Sequence, residues 1–301
     1  MHNKYKTNLL GPSPEDNRDY LFAEKADQVT EALPGKLLLI GDDIEEEDQG
    51  GYGSCAAQVA ACIHSFHNKA EEGSWKRFSA AWTYGLRSDH IYDREEGLHE
   101  GMFPRDLMHI MLHIGSVFEE DLPYVSKNIS KFDLFSDDRF KDLCKKSIRY
   151  RIKEYSKVDH DIELIKKALF LNGPMLIAVP VYNYKGEMWV QGDGDTFQGG
   201  HAMTVIGYDK EGLIIRNSWG SDWNEDGTCK MKWEDIGIAW EFWTTVDEDF
   251  DPNNARPIPE RSPRRDNPDY KPSWWDDSDN LFWALTIGLG VPLLLFLLYK
   301  L

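Results

Sequence analysis

Asp48–Cys62, DQGGYGSCAAQVAAC, reads as a glycine-rich turn running straight into a helix, with Cys55 at the junction. Gly50, Gly51 and Gly53 supply the turn. After Cys55 the chain is rich in alanine, and Val59, Cys62, Ile63 and Phe66 recur at helical spacing. Cys55 is therefore placed on the first turn of a helix, where unpaired backbone N–H groups and the helix dipole favour negative charge. That placement has a chemical consequence, because a free thiol is only slightly ionised at neutral pH and the thiolate is the nucleophile.

Two later stretches supply what such a nucleophile needs: GGHAMTVIGYD around His201 and IIRNSWGSDW around Asn217. AMTVIGY and LIIR read as neighbouring strands with a glycine-containing turn between them at Lys210, Glu211 and Gly212. The hairpin carries His201 and Asn217 on adjacent strands. Brought to Cys55, His201 completes a thiolate–imidazolium pair. Asn217 then hydrogen-bonds the far ring nitrogen and fixes its orientation.

In these residues the chain resembles the papain-like, cathepsin-related cysteine peptidases. Gln49 stands six residues before Cys55, where the family places its oxyanion-hole glutamine, and the interval from His201 to Asn217 equals the family's. Asn217-Ser218-Trp219-Gly220 followed by Trp223 repeats the family's N-S-W-G-x-x-W. Gly101-Met102-Phe103-Pro104, a helix-like stretch to Gly115, Leu122-Pro123-Tyr124 and the segment Asp161–Val181 follow the family's order. The resemblance runs from Leu33 to Val246 and implies an α+β, two-lobed fold: a helical lobe led by the Cys55 helix, an antiparallel sheet or barrel-like lobe, and a cleft between them. It implies hydrolysis of a protein or peptide substrate through a thioester, with no cofactor and no metal. Cys55 is the implied nucleophile, His201 the general acid and base, Asn217 its orienter, and Gln49 with the Cys55 backbone N–H the oxyanion hole. Trp219 is implied to shield the His201–Asn217 bond from water, and Gly101 to offer backbone hydrogen bonds to an extended substrate.

Three positions depart from the family pattern. Ala56 follows the nucleophile where an aromatic residue is usual, Tyr52 stands where many secreted members have a cysteine, and Gly200 precedes His201 where many carry Asp or Asn. None removes a member of the chemical set. A related thiol acyltransferase, handing the acyl group to an amine, would use the same residues. A catalytically silent, membrane-tethered binding protein would keep the fold but would need none of Gln49, Cys55, His201 and Asn217.

Composition bounds the remaining possibilities. At 301 residues and 41% apolar, the chain is long enough to bury one large or two small cores. With Cys55 reserved, Cys62, Cys144 and Cys229 leave an odd number for pairing, which favours a reducing compartment. A net charge of −18 argues against a nucleic-acid partner. His109 and His113 have a metal-ligand spacing without a zinc-protease glutamate, and Cys62, His64 and His67 face different directions on one helix. Asp193 and Asp195 form only half of a calcium loop. The acidic run Glu45–Asp48 reads as a solvated loop.

The two ends read differently from the middle. Residues 1–32 are a polar arm without a secretory signal, too short for the roughly hundred-residue inhibitory propeptide of many papain-like enzymes. Its EDNRDYLF stretch is similar to a lead-in of bacterial and large-DNA-virus members. Such an arm either docks on the 33–246 domain or covers the cleft, docking or fraying being the commoner fate. Residues 247–280 hold six prolines and many charges, a semi-extended stalk unable to bury a core. Leu281–Leu298, LFWALTIGLGVPLLLFLL, then runs eighteen residues without a charge, close to a bilayer's hydrocarbon thickness at about 1.5 Å per residue. Trp274, Trp275 and Trp283 at one end and Tyr299 at the other suit the interfaces. Residues 281–299 are thus expected to be a single-pass transmembrane helix in contact with the lipid bilayer. As a C-terminal tail anchor it would keep the catalytic domain on the cytosolic side, in a cell or virion membrane.

Overall fold

A computed structural model describes residues 6–7, 9–16, 19–24, 26, 32–41, 47–87, 101–125 and 138–247. The expected stalk from residue 248 and the apolar segment 281–299 lie outside these residues. Among the described residues no helix is long and apolar enough to cross a membrane.

The helices come mainly first and the strands last. Helices α1 (Cys55–Glu72), α2 (Ala80–Leu86), α3 (Pro104–His113) and α4 (Phe140–Ser147) precede α5 (Ile162–Asn172). The strands are β1 (Leu37–Leu38), β2 (Ile152–Val158), β3 (Met175–Val181), β4 (Gly199–Tyr208), β5 (Gly212–Arg216), β6 (Thr228–Lys232) and β7 (Glu241–Asp247). All pair antiparallel in one sheet of order β2-β7-β3-β4-β5-β6, with β1 added to β4. The sheet path is open, with β2 and β6 at its ends. This is the α+β class that the sequence implies.

Local chemistry sets the element boundaries. Pro104 opens α3, where its missing N–H and fixed φ cost nothing. Asp161 caps α5 by accepting from the N–H groups of Glu163 and Leu164, both at 2.9 Å. The run MLIAVPV becomes β3 with all seven residues buried, as a central strand covered on both faces should be. The expected hairpin turn joins β4 to β5, closed by Asp209 N–H donating to the Gly212 carbonyl at 2.9 Å. A bulge interrupts the β4–β5 register between Val205 and Gly207. A Cβ at Gly207 would lie 2.2 Å from the Leu37 carbonyl oxygen, so glycine is what lets β1 lie alongside β4.

Helix α1 starts at Cys55 as its spacing predicts, but it is not an amphipathic surface helix. Ala56, Ala57, Ala60 and Ala61 are as buried as Val59 and Ile63, while Phe66 is only half-buried. The small alanines let α1 pack closely against β4 on one side and α2 and α3 on the others. One apolar core gathers α1, α2 and α3 and includes Ala178 and Ala202 of the sheet. A second lies on the sheet side and contains Trp189, Trp219, Trp223 and Phe242. The first turn of α1 and strand β4 thus share the helical core, and β4 also serves the sheet core.

Candidate functional site

The turn before α1 uses Gly50 at φ 63°, and Cys55 is the first residue of the helix. Cys55 is 1% exposed. The other three cysteines are buried and form no disulfide, and burial pushes the Cys144 thiol up to about 12 and that of Cys229 higher still. Those two are inert thiols.

His201 lies on β4 opposite Val179 of β3. Its Nε2 is 2.7 Å from Asn217 Oδ1, and the Ser218 backbone N–H donates to that same oxygen at 2.8 Å. Because the backbone N–H fixes Oδ1 as the acceptor, the ring proton must sit on Nε2. Nδ1, which makes no hydrogen bond, is therefore the bare acceptor nitrogen. Burial pulls the His201 pKa down to about 4, partly opposed by the bond to Asn217. The imidazole is then neutral near pH 7 and able to accept a thiol proton. Trp219 stacks on the His201 ring at 4.6 Å between centroids and 28° between planes, with Trp223 edge-on behind it at 5.3 Å. Trp219 itself is 2% exposed, so this face of the imidazole lies against buried indole.

Gln49 is fully buried and connected to both lobes. Its Nε2 donates to the Tyr52 carbonyl at 2.7 Å and to the Lys6 carbonyl at 3.2 Å, while Oε1 accepts from Ser218 Oγ at 2.6 Å. Its backbone N–H donates to the Ser218 carbonyl at 2.9 Å. Ser218 therefore touches both functional groups at once, through Asn217 Oδ1 and the Gln49 amide. Ser218 stands within the N-S-W-G motif without a role of its own in the sequence. Its signal was its place between Asn217 and Trp219, which only the folded contact with Gln49 explains.

The arm lies on this site. Lys6 reaches Gln49, Thr7 Oγ1 donates to the Gln198 carbonyl at 2.7 Å, and Leu9 N–H donates to the Gly200 carbonyl at 3.0 Å. Leu10 N–H points to the carbonyl of Met102 at 3.4 Å, so the arm's backbone contact is to Met102 rather than to its neighbour Gly101. Farther along, Ser13 donates through N–H and Oγ to the buried Glu241 carboxylate at 2.9 and 2.8 Å, and Arg105 pairs with Asp19. Of the two fates open to a short arm, the structure shows docking along the functional residues. Gly200, a departure from the family pattern, now has a cause: a Cβ there would lie 2.3 Å from the Trp240 ring and 3.0 Å from the Leu9 carbonyl oxygen.

The remaining sequence features fall away from this site. His109 and His113 stack edge to face on α3 at 5.5 Å, and no cluster of three or more metal-ligating side chains occurs among the described residues. Asp195 accepts from Asn183 Nδ2 and Gly192 N–H at 3.0 Å each, closing its own loop. Asp48 accepts from Gly50 N–H at 2.8 Å, a turn contact.

Residues 44–244 match the model of the papain family of cysteine proteases. The chain belongs to that family. It is 29% identical to a cathepsin B-like protein, CP3, of Giardia intestinalis over 62% of this chain and 64% of that protein. It is 24% identical to an uncharacterized peptidase C1-like protein of Acanthamoeba polyphaga mimivirus, over 74% of this chain and 78% of the other. The chain thus spans slightly less than two thirds of the Giardia protein. Among solved structures it is similar to xylellain, a cysteine protease from Xylella fastidiosa, with a TM-score of 0.68 and 26% identity over 82% of this chain and 98% of that one. A Trypanosoma congolense procathepsin B shares the fold at a TM-score of 0.59 and 19% identity.

If Gln49 donates to a developing oxyanion, Gln49→Ala should lower kcat on a short peptide substrate by about 10²–10³-fold. Ser218→Ala, which frees the Gln49 amide to rotate, should cost less, about tenfold, and mostly in kcat. Equal kcat in all three proteins would remove Gln49 from the chemistry.

Proposed function

We propose that the chain is a cysteine peptidase that hydrolyses peptide bonds through a thioester, is covered by its own N-terminal arm, and is tethered to a membrane through residues 281–299. The observation that carries the peptidase reading is the assignment of the ring protons: Asn217 holds Nε2–H and leaves Nδ1 as a base, in a family member with a cysteine at the start of α1. Nδ1 takes the Sγ proton, and the Cys55 thiolate attacks the scissile carbonyl carbon. The carbonyl oxygen gains charge against Gln49 Nε2–H and the Cys55 backbone N–H. The Nδ1 proton then passes to the leaving amine as the C–N bond breaks, giving a thioester. The neutral imidazole next takes a proton from water as the water oxygen bonds the thioester carbonyl carbon; the C–S bond then breaks, the acid product leaves, and the Nδ1 proton returns to Sγ.

Covering by the arm is supported by the Lys6 carbonyl on Gln49 Nε2, the donor that a reacting oxyanion would need, and by His201 at 0% exposure. Leu9, 5% exposed, contributes about 1.5–3 kcal/mol by its burial, more than a surface ion pair would. Replacing it with a carboxylate reverses the sign of that contribution. Leu9→Asp in the full chain should therefore raise the initial rate on a fluorogenic peptide by about tenfold or more, each tenfold corresponding to roughly 1.4 kcal/mol. Cys55→Ala in the same background should abolish it. An unchanged rate would reject the covering arm, and a Cys55→Ala protein as fast as its parent would reject the peptidase. Transfer of the acyl group to an added amine in preference to water would favour the acyltransferase alternative.

The membrane tether is supported by the eighteen uncharged residues Leu281–Leu298 beyond a proline-rich, charged segment. With the peptidase domain on the cytosolic side, the full chain should stay with membranes through alkaline carbonate extraction and be cut by protease added outside sealed vesicles. A chain lacking 281–301 should be released. Release of both proteins alike would reject the tether.

A further inference from the structure

Tyr124 stands between the two pieces of backbone that form the proposed oxyanion site. Its hydroxyl donates to the Gln49 carbonyl oxygen at 2.8 Å and lies 2.6 Å from Ser54 Oγ. A phenol has one proton, and Gln49 takes it, so Ser54 must be the donor in the second bond. The tyrosine is itself held in place by its backbone N–H, which donates to Glu119 Oε1 at 2.6 Å. Burial raises its pKa, which keeps the donor proton on the phenol.

Ser54 immediately precedes α1. A serine at that position ordinarily caps the helix by accepting from the N–H groups of the second and third helical residues. Ser54 does not: at φ −97° and ψ 15° it is outside the extended conformation of a capping residue, and its side chain makes no capping bond. Its Oγ lies against the Tyr124 hydroxyl, to which it gives its proton. The Ser54 side chain therefore engages neither the Ala56 nor the Ala57 N–H, the two that a capping serine would take.

We propose that Tyr124 is a positioning residue for the oxyanion hole, fixing Gln49 through its carbonyl and holding Ser54 away from the N-terminus of the nucleophile helix. It need touch neither substrate nor thiol. One hydroxyl ties together the two backbone segments that carry the proposed donors, because the Gln49 carbonyl and the Ser54 hydroxyl, next to Cys55, are bonded to the same phenol oxygen. The inference rests on the peptidase reading, and its test separates the two.

The test uses the full chain carrying Leu9→Asp, alone and with Tyr124→Phe or Tyr124→Phe plus Ser54→Ala. Hydrolysis of a peptide ester or amide builds an oxyanion, whereas alkylation of Cys55 by iodoacetamide does not. Tyr124→Phe should lower kcat by about 10–100-fold with KM within about twofold. Its iodoacetamide rate and thermal midpoint should stay close to the parent's. Adding Ser54→Ala should recover part of the lost kcat, by removing the hydroxyl that would otherwise turn onto the helix. Unchanged kcat, or alkylation falling in parallel with kcat, would overturn the proposal, and failure of Ser54→Ala to recover any activity would overturn its Ser54 half. If the parent hydrolyses no peptide, the peptidase reading has failed and hydrogen exchange decides the positioning. Slower exchange at the amides of Ala56 and Ala57 in Tyr124→Phe supports it, and unchanged exchange overturns it.

Discussion

The bond from His201 Nε2 to Asn217 Oδ1 is the contact on which the rest of the site depends. It is short, buried under Trp219, and directed by the Ser218 backbone N–H, so one tautomer of the imidazole is selected. Selecting the tautomer selects the base. From the same turn, Ser218 reaches across to Gln49 by two further bonds, so the orientation of the imidazole and that of the Gln49 amide are set by one residue. A site arranged this way has little freedom to lose when substrate arrives, which is where electrostatic stabilisation of an acyl-transfer transition state is most effective.

The arm uses the same features that a substrate would need. It pairs with the backbone beside His201, occupies a donor of Gln49, and buries Leu9 in the helical core. Its farther anchors, Ser13 on Glu241 and Asp19 on Arg105, compensate charges that are otherwise buried. Gly200 shows the accommodation from the enzyme side, since the Trp240 ring and the Leu9 carbonyl take up the volume of any side chain there.

Much of this was legible in the sequence because it rested on local signals. The start of α1 followed from three glycines and an alanine-rich run, the β4–β5 hairpin from two apolar stretches and a glycine turn, and the closeness of His201 and Asn217 from their places on that hairpin. What was not legible depended on contacts between distant segments. The spacing of Val59, Cys62, Ile63 and Phe66 gave the helix but not its burial: the alanines between them are buried as well, because α1 lies between the sheet and two helices. Ser218 and Tyr124 stood within quoted motifs without a role, because their hydrogen bonds to Gln49 and Ser54 span 169 and 70 positions in sequence. The reason for Gly200 lay in Trp240 and Leu9, neither near it in the chain.

The most direct measurement is covalent labelling of the full chain by a peptidyl vinyl sulfone or epoxide, with the modified residue mapped by mass spectrometry beside Cys55→Ala and His201→Ala. An assembled nucleophile, base and oxyanion site predicts one adduct, on Cys55, lost in both variants. Adducts on Cys62, Cys144 or Cys229 at a comparable rate, or labelling of Cys55 that is indifferent to His201, would contradict the account.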